Sequence, residues 1–259
     1  MPQELAEMKP QVYKDPRPKE YFDRFHARAR TRRPDWVYEA ARILLSPLMW
    51  TVYRARSIGS ANVPDTGPVI LAPNHFSFLD HFFLGVFIRR KVRFMAKSQL
   101  FKGPLEWILF HGGAFPVRRG HRDEETFVTA ELILDQGGCL AMYCEGGRSR
   151  TGQLAERAKP GLGRLALECG VPIVPVAIYG SQKARNWKRL QFPKVTIQYG
   201  EPFRFQAVAE PTREQQQAAA DQVLDEIKRL YAELQRHGRR GVLQRLRAER
   251  RAQRRALPA

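Results

Sequence analysis

A chain of 259 residues, 43% hydrophobic with 19 glycines and 18 prolines, carries enough apolar material for one large α/β domain with helical additions, which excludes global disorder. Its 44 Lys and Arg outnumber 26 Asp and Glu, and the formal charge of +18 points to an anionic partner: nucleic acid, an anionic lipid surface or a negatively charged substrate. Cys139, Cys144 and Cys169 lack CxxC spacing, so reduced thiols in a cytosolic setting are expected, and the histidines form no metal-binding pattern.

The polar, proline-punctuated start of the chain has no apolar core of a signal peptide, and no run is long enough to make a comfortable membrane span. It reads as an extended arm followed by a short helix over 21–33. Residues 36–53 then turn apolar and aromatic, with Trp36, Ile43, Leu44, Leu48 and Trp50 among them, and Pro47 predicts a kink. Such a helix suits a lipid interface, and it equally suits packing on the protein's own core. A turn-rich linker over 59–67 leads to a buried strand at 69–72 and a helix over 76–87. Strands are predicted at 93–96, 114–117, 139–143, 173–178 and 195–199, with helices over 105–110, 124–135 and 162–168 between them. This alternation predicts an α/β fold: a central mixed, largely parallel sheet flanked by helices, with an N-terminal membrane-surface helical segment.

Residues 213–234 form an amphipathic helix by their spacing of Val223, Leu224, Ile227, Leu230, Tyr231 and Leu234. Beyond Gly241, Arg245, Arg247, Arg250, Arg251, Arg254 and Arg255 make a basic arm whose like charges disfavour an isolated fold. The organisation expected is an N-terminal arm and helical segment at 1–58, an α/β core at 59–211, an amphipathic helix packing on it at 212–238, and the basic arm at 239–259.

The stretch from Asn74 to Asp80 follows a strand, so His75 falls where α/β sheets expose reactive groups. A strand-to-helix turn can fold its imidazole back onto Asp80, which would fix the tautomer and leave the other nitrogen basic. A histidine bonded to a capping aspartate would have the same spacing. Arg118 and Arg119 end another strand and could grip a phosphate; two solvated arginines would look alike. The tract Glu145-Gly146-Gly147-Arg148 combines a hydroxyl-binding or bracing carboxylate, a permissive turn and a second guanidinium. Lys159 and Gly161 open the next helix, where a cation and free amides could add to an anion site or simply cap the helix. Cys144 could invite a cysteine nucleophile, but no pattern supplies its base.

Taken in order, these tracts resemble the glycerolipid acyltransferases, a family that includes bacterial 1-acyl-glycerol-3-phosphate acyltransferase. Its H-x-x-x-x-D block is matched by NHFSFLD, its second block by GAFPVRR, its third by YCEGGRS and its fourth by VPIVPV, the likeness covering about residues 62–201. Gly147 stands where the third block usually has threonine, and Cys144 where it has proline. The resemblance implies transfer of a fatty acyl group from acyl-CoA or acyl carrier protein to a lysophospholipid hydroxyl, with no bound cofactor and no metal. His75 and Asp80 would be catalytic; Arg119, Arg148, Glu145, Gly146, Arg118 and Lys159 would bind substrate. An anionic phospholipid surface at the cytoplasmic face of the cell membrane is the expected partner, the protein being peripheral or monotopic. Another hydroxylated lipid as acceptor, or a non-catalytic protein binding anionic lipid or nucleic acid, are the competing readings. No recognised nucleic-acid module accompanies the charge.

Overall fold

The computed structural model of the chain describes residues 5, 8, 14–120 and 123–256, apart from the side chains at 185, 187, 189, 250 and 253–256. Most of the expected N-terminal arm and the end of the basic arm lie outside the described residues. One sheet organises the rest. Its strands are β1 (Arg56–Ile58), β2 (Val69–Pro73), β3 (Val92–Lys97), β4 (Phe115–Val117), β5 (Cys139–Ala141), β6 (Ile173–Tyr179) and β7 (Thr196–Tyr199). Their order is β1-β7-β6-β2-β5-β3-β4, and every neighbouring pair is parallel except β6 and β7. This is the mixed, largely parallel sheet expected.

The central strands β2, β5 and β6 are apolar on both faces because both faces are covered. In β2, Ile70 and Ala72 pack with Ile133 and Leu134 of α5 (Glu124–Asp135), Leu162 and Leu165 of α6 (Pro160–Cys169), and Val223 and Ile227 of α7 (Arg213–Ala256). Val69 and Leu71 point the other way, towards Met49 of α2 (Trp36–Thr51) and Phe83 and Leu84 of α3 (Asp80–Gly85). The crossing of α6 over α7 is close enough that a Cβ on Gly163 would lie 1.8 Å from the Gln216 carbonyl oxygen, so only glycine fits there.

Two elements differ from their predicted form. The helix expected over 76–87 is confined to α3, because the Phe76 and Ser77 amides are bonded to the Asp80 side chain and form a turn. The basic arm is helical as far as it is described, although its charges disfavour an isolated helix. It is not isolated. A break at Gly238 (φ 62°, ψ 173°) turns the second half of α7 back, burying Val242 against Ile58, Leu230 and Leu234. Arg239 then bonds Thr196 Oγ1, and Arg245 pairs with Glu233.

At the N-terminal end, α1 (Asp23–Thr31) lies on α5 and β4. The Asp35 side chain caps α2 by accepting from the Val37 amide at 3.1 Å, and α2 continues through Pro47. It packs on α3 and on α4 (Gly103–His111), yet Trp36, Ile43 and Leu44 remain 67%, 68% and 76% exposed. Both of the alternatives left open for this helix therefore have a face available: one against the protein and one towards solvent.

Candidate active site

Four parallel strands deliver the site. His75 follows β2, Lys97 ends β3, Arg119 follows β4 and Tyr143 follows β5, so all four stand at the same, carboxyl-terminal edge of the sheet. That edge is where open α/β sheets leave a crevice for ligands. Asn74, fully buried, extends the sheet by one side chain: its Nδ2 donates to the Ile178 carbonyl at 3.2 Å and its Oδ1 accepts the Ile178 amide at 2.7 Å. His75 is thus set at the end of a fixed strand.

Its backbone is then held at both ends by the loop after β5. The His75 amide donates to Glu145 Oε1 at 2.9 Å, and the His75 carbonyl accepts the Ser149 amide at 2.8 Å. The imidazole Nδ1 lies 3.0 Å from Asp80 Oδ2. That oxygen also accepts the Phe76 and Ser77 amides, each at 2.7 Å, so the carboxylate is oriented by the turn it closes. These amides are therefore not available as oxyanion donors. Tyr143 stacks on the opposite side, its ring 3.9 Å from that of His75 and tilted by 24°. Burial lowers the His75 pKa from 6.5 while the Asp80 contact raises it, and burial prevails. The result is a neutral imidazole at pH 7 with its proton held on Nδ1 and its Nε2 free to take a proton.

A cavity of about 330 Å³ opens beside this pair. At its polar end His75, His81, Tyr143, Lys97, Arg119 and Arg148 line the wall. Burial, then the neighbouring Arg119 and Arg148, lowers the Lys97 pKa, as expected where three cations converge and would welcome an anion. The other end runs beneath α2 and α4 and is lined by Val37, Phe82, Val86, Phe94, Leu105 and Leu109.

The remaining sequence candidates stand elsewhere. Arg118 turns away from the cavity, its guanidinium donating to the Arg17 carbonyl at 3.2 Å and lying over the Phe22 ring. Both arginines follow β4, and only Arg119 is in the cavity lining. Glu145 is behind His75 rather than in the cavity wall, and burial raises its pKa to about 7. Gly146 adopts φ 69°, and a Cβ there would lie 2.8 Å from Lys159 Cγ. Lys159 is outside the cavity lining; its amide donates to the Cys144 carbonyl at 2.8 Å and its stem lies against Gly146. Cys144 is fully buried with its thiol pKa pushed up, which makes it a poor nucleophile. Phe78 and Phe82 reach the cavity, whereas Phe76 and Phe83 are core. Among the described residues no cluster of side chains could hold a metal. Lys97, His81 and Tyr143 were not singled out in the sequence; only their positions next to strand ends and to Asp80 could have marked them.

Residues 54–179 match the family model described as Acyltransferase, a span that contains the whole His75–Asp80 turn and the loop that braces it. That span is just under half of the chain, and over it the sequence is homologous to this family. Within it, the chain is similar to human 1-acyl-sn-glycerol-3-phosphate acyltransferase beta, 31% identical over 50% of this chain and 48% of that one. It is also similar to the chloroplastic 1-acyl-sn-glycerol-3-phosphate acyltransferase BAT2 of Brassica napus, 26% identical over 62% of this chain and 46% of that one. The chain thus spans about half the length of the curated relatives it matches. The fold is shared with the crystal structure of the 1-acyl-sn-glycerophosphate acyltransferase PlsC from Thermotoga maritima, at 23% identity and a TM-score of 0.56, over 84% of this chain and 90% of that one. The sheet and the helices that flank it therefore follow a shared fold.

Proposed function

We propose that the chain transfers a fatty acyl group from acyl-CoA or acyl carrier protein to the free hydroxyl of a lysophospholipid, 1-acyl-glycerol-3-phosphate being the best-fitting acceptor and phosphatidic acid the product. The observation that carries this reading is the two-ended cavity: the His75–Asp80 pair stands where a three-cation wall meets an apolar arm. A phosphate would sit against Arg119, Arg148 and Lys97, and a hydrocarbon chain would run beneath α2 and α4. His75 Nε2 removes the hydroxyl proton as the oxygen attacks the thioester carbonyl. The new C–O bond forms, the C–S bond breaks, and the same proton passes to the departing thiolate. Asp80 stabilises the imidazolium in between. General acid–base catalysis of this kind is worth roughly 10²–10⁴-fold in rate. Glu145 acts from behind, by holding the His75 backbone. Gly147, standing where related sequences carry threonine, leaves room for another hydroxylated lipid as acceptor.

The reading extends to place. Among the described residues no helix is long and apolar enough to cross a membrane. The exposed Trp36, Ile43 and Leu44 of α2, with Trp107 of α4 in edge contact with Trp36 at 6.2 Å, form an apolar face suited to lie in a lipid interface over the cavity's apolar arm. We place the protein at the cytoplasmic face of the membrane, peripheral or monotopic, with its basic groups against anionic head groups.

The test is an acyl-transfer assay with both classes of thioester donor and a panel of lysophospholipid acceptors. Activity that His75→Ala abolishes supports the reading; activity equal in that variant overturns it.

A further inference from the structure

His81 directly follows Asp80, lines the cavity and has no part in the reaction described above. Its ring meets that of His75 edge-on at 5.2 Å, that of Tyr143 at 5.0 Å and that of Phe94 at 5.1 Å, so it stands between the reacting end and the apolar arm. Its Nδ1 lies 3.2 Å from the Phe78 carbonyl oxygen. A carbonyl can only accept, so Nδ1 carries the proton. Burial, with His75 nearby, lowers the His81 pKa to about 4, and the ring therefore has one proton rather than two at neutral pH. Nε2 is left with a bare lone pair, and no described residue donates to it.

Such a group is a weak base, and unlike His75 it has no hydrogen-bonded carboxylate to stabilise a second proton. It is a good acceptor. A leucine would line an apolar channel without the cost of taking a ring nitrogen out of water; a hydrogen-bond donor arriving with the substrate offsets that cost. We propose that His81 is a specificity-determining residue, whose Nε2 accepts a hydrogen bond from an O–H or N–H group that the substrate carries a few bonds from the reacting centre. The inference rests on the acyl-transfer reading. Two substrates could bring that donor: a thioester whose carrier arm has an amide N–H near the sulfur or, where the acceptor is not 1-acyl-glycerol-3-phosphate with its single free hydroxyl, an acceptor with a second hydroxyl beside the one that reacts.

Imidazole ¹⁵N shifts of the full chain test the geometry without turnover. Nδ1 of His81 should be protonated and Nε2 bare at pH 7, and Nε2 should move when CoA or glycerol 3-phosphate is added. An Nε2-protonated ring, or an Nε2 signal unmoved by both ligands, overturns the inference. Kinetics then identify the source. His81→Leu should lower kcat/KM roughly three- to tenfold for substrates carrying the donor, and His81→Gln, which retains an acceptor near the Nε2 position, should restore most of it. If the loss disappears with an acyl thioester of mercaptoethanol, the donor is the carrier's amide; if it disappears with an acceptor bearing a single hydroxyl, it is the second hydroxyl. A loss equal for all substrates that His81→Gln does not repair, or no loss at all, removes His81 from this role. Wild-type inactivity on every thioester would instead strike the acyl-transfer reading, while the nitrogen shifts still decide the hydrogen bond.

Discussion

The two ends of the cavity are built on different principles. The polar end is made by strand termini, and its central residue has both backbone polar groups and one ring nitrogen committed: His75 to Glu145, Ser149 and Asp80. The apolar end is made by the sides of helices, where packing alone sets the shape and Tyr38 is one of few polar groups, its hydroxyl accepting the Val92 amide at 3.1 Å. Chemistry needs angles, which hydrogen bonds supply; a hydrocarbon needs only volume. Substitutions at the polar end should therefore change rate for every donor, and substitutions at the apolar end should change which donor is used.

The sharpest separation comes from His75→Ala, which should lower turnover by roughly 10²–10⁴-fold with any chain length and leave vesicle association as it was. In the unaltered chain, the acid limb of kcat/KM should fall below pH 6.5, because the lowered pKa keeps His75 neutral there; a limb above 6.5 would contradict the burial argument. Arg148→Ala should cost about tenfold or more with a phosphate-bearing acceptor, the loss of one charge-assisted contact, and less with an acceptor lacking phosphate. Equal losses on both would detach Arg148 from the anion. Gly85→Leu tests the other end. A Cβ at Gly85 already comes within 3.0 Å of the Tyr38 hydroxyl, so a larger side chain must enter the cavity. Long-chain donors should slow severalfold more than short ones, and a uniform loss would mean that the arm does not hold the chain.

Glu145 gives a smaller effect with a definite sign. Its folded pKa is raised from 4.5 to about 7, so its stabilising contribution is fully present below pH 4.5 and is lost as pH rises towards 7. Glu145→Gln keeps a carbonyl for the His75 amide and should flatten stability against pH over that window in urea melts. Glu145→Ala should lower stability by roughly 1–3 kcal/mol by leaving the amide without a partner.

How much of this was legible before the structure follows the same division. The strands could be read because runs such as 69–72 and 173–178 are apolar throughout, and the approach of His75 to Asp80 is contained in one turn. What could not be read depends on segments far apart. Whether Arg118 or Arg119 faces the cavity depends on where Arg17 and Phe22, about a hundred residues earlier, are placed against the end of β4. Whether Glu145 binds substrate or a backbone amide depends on the distance from β5 to β2. The second half of α7 appeared as a charge run because its partners, Ile58 on the edge strand β1 and Ala177 on β6, are distant in sequence.

The bond between the His75 amide and Glu145 spans 70 positions of sequence. A reactive imidazole held by such a distant partner cannot acquire its geometry while the chain is emerging or collapsed without order; β2 and β5 must first have found each other, and loop closure over that span is slow compared with local turns. A chain with an unpaired sheet would carry the motif without the geometry that the acyl-transfer proposal requires of it.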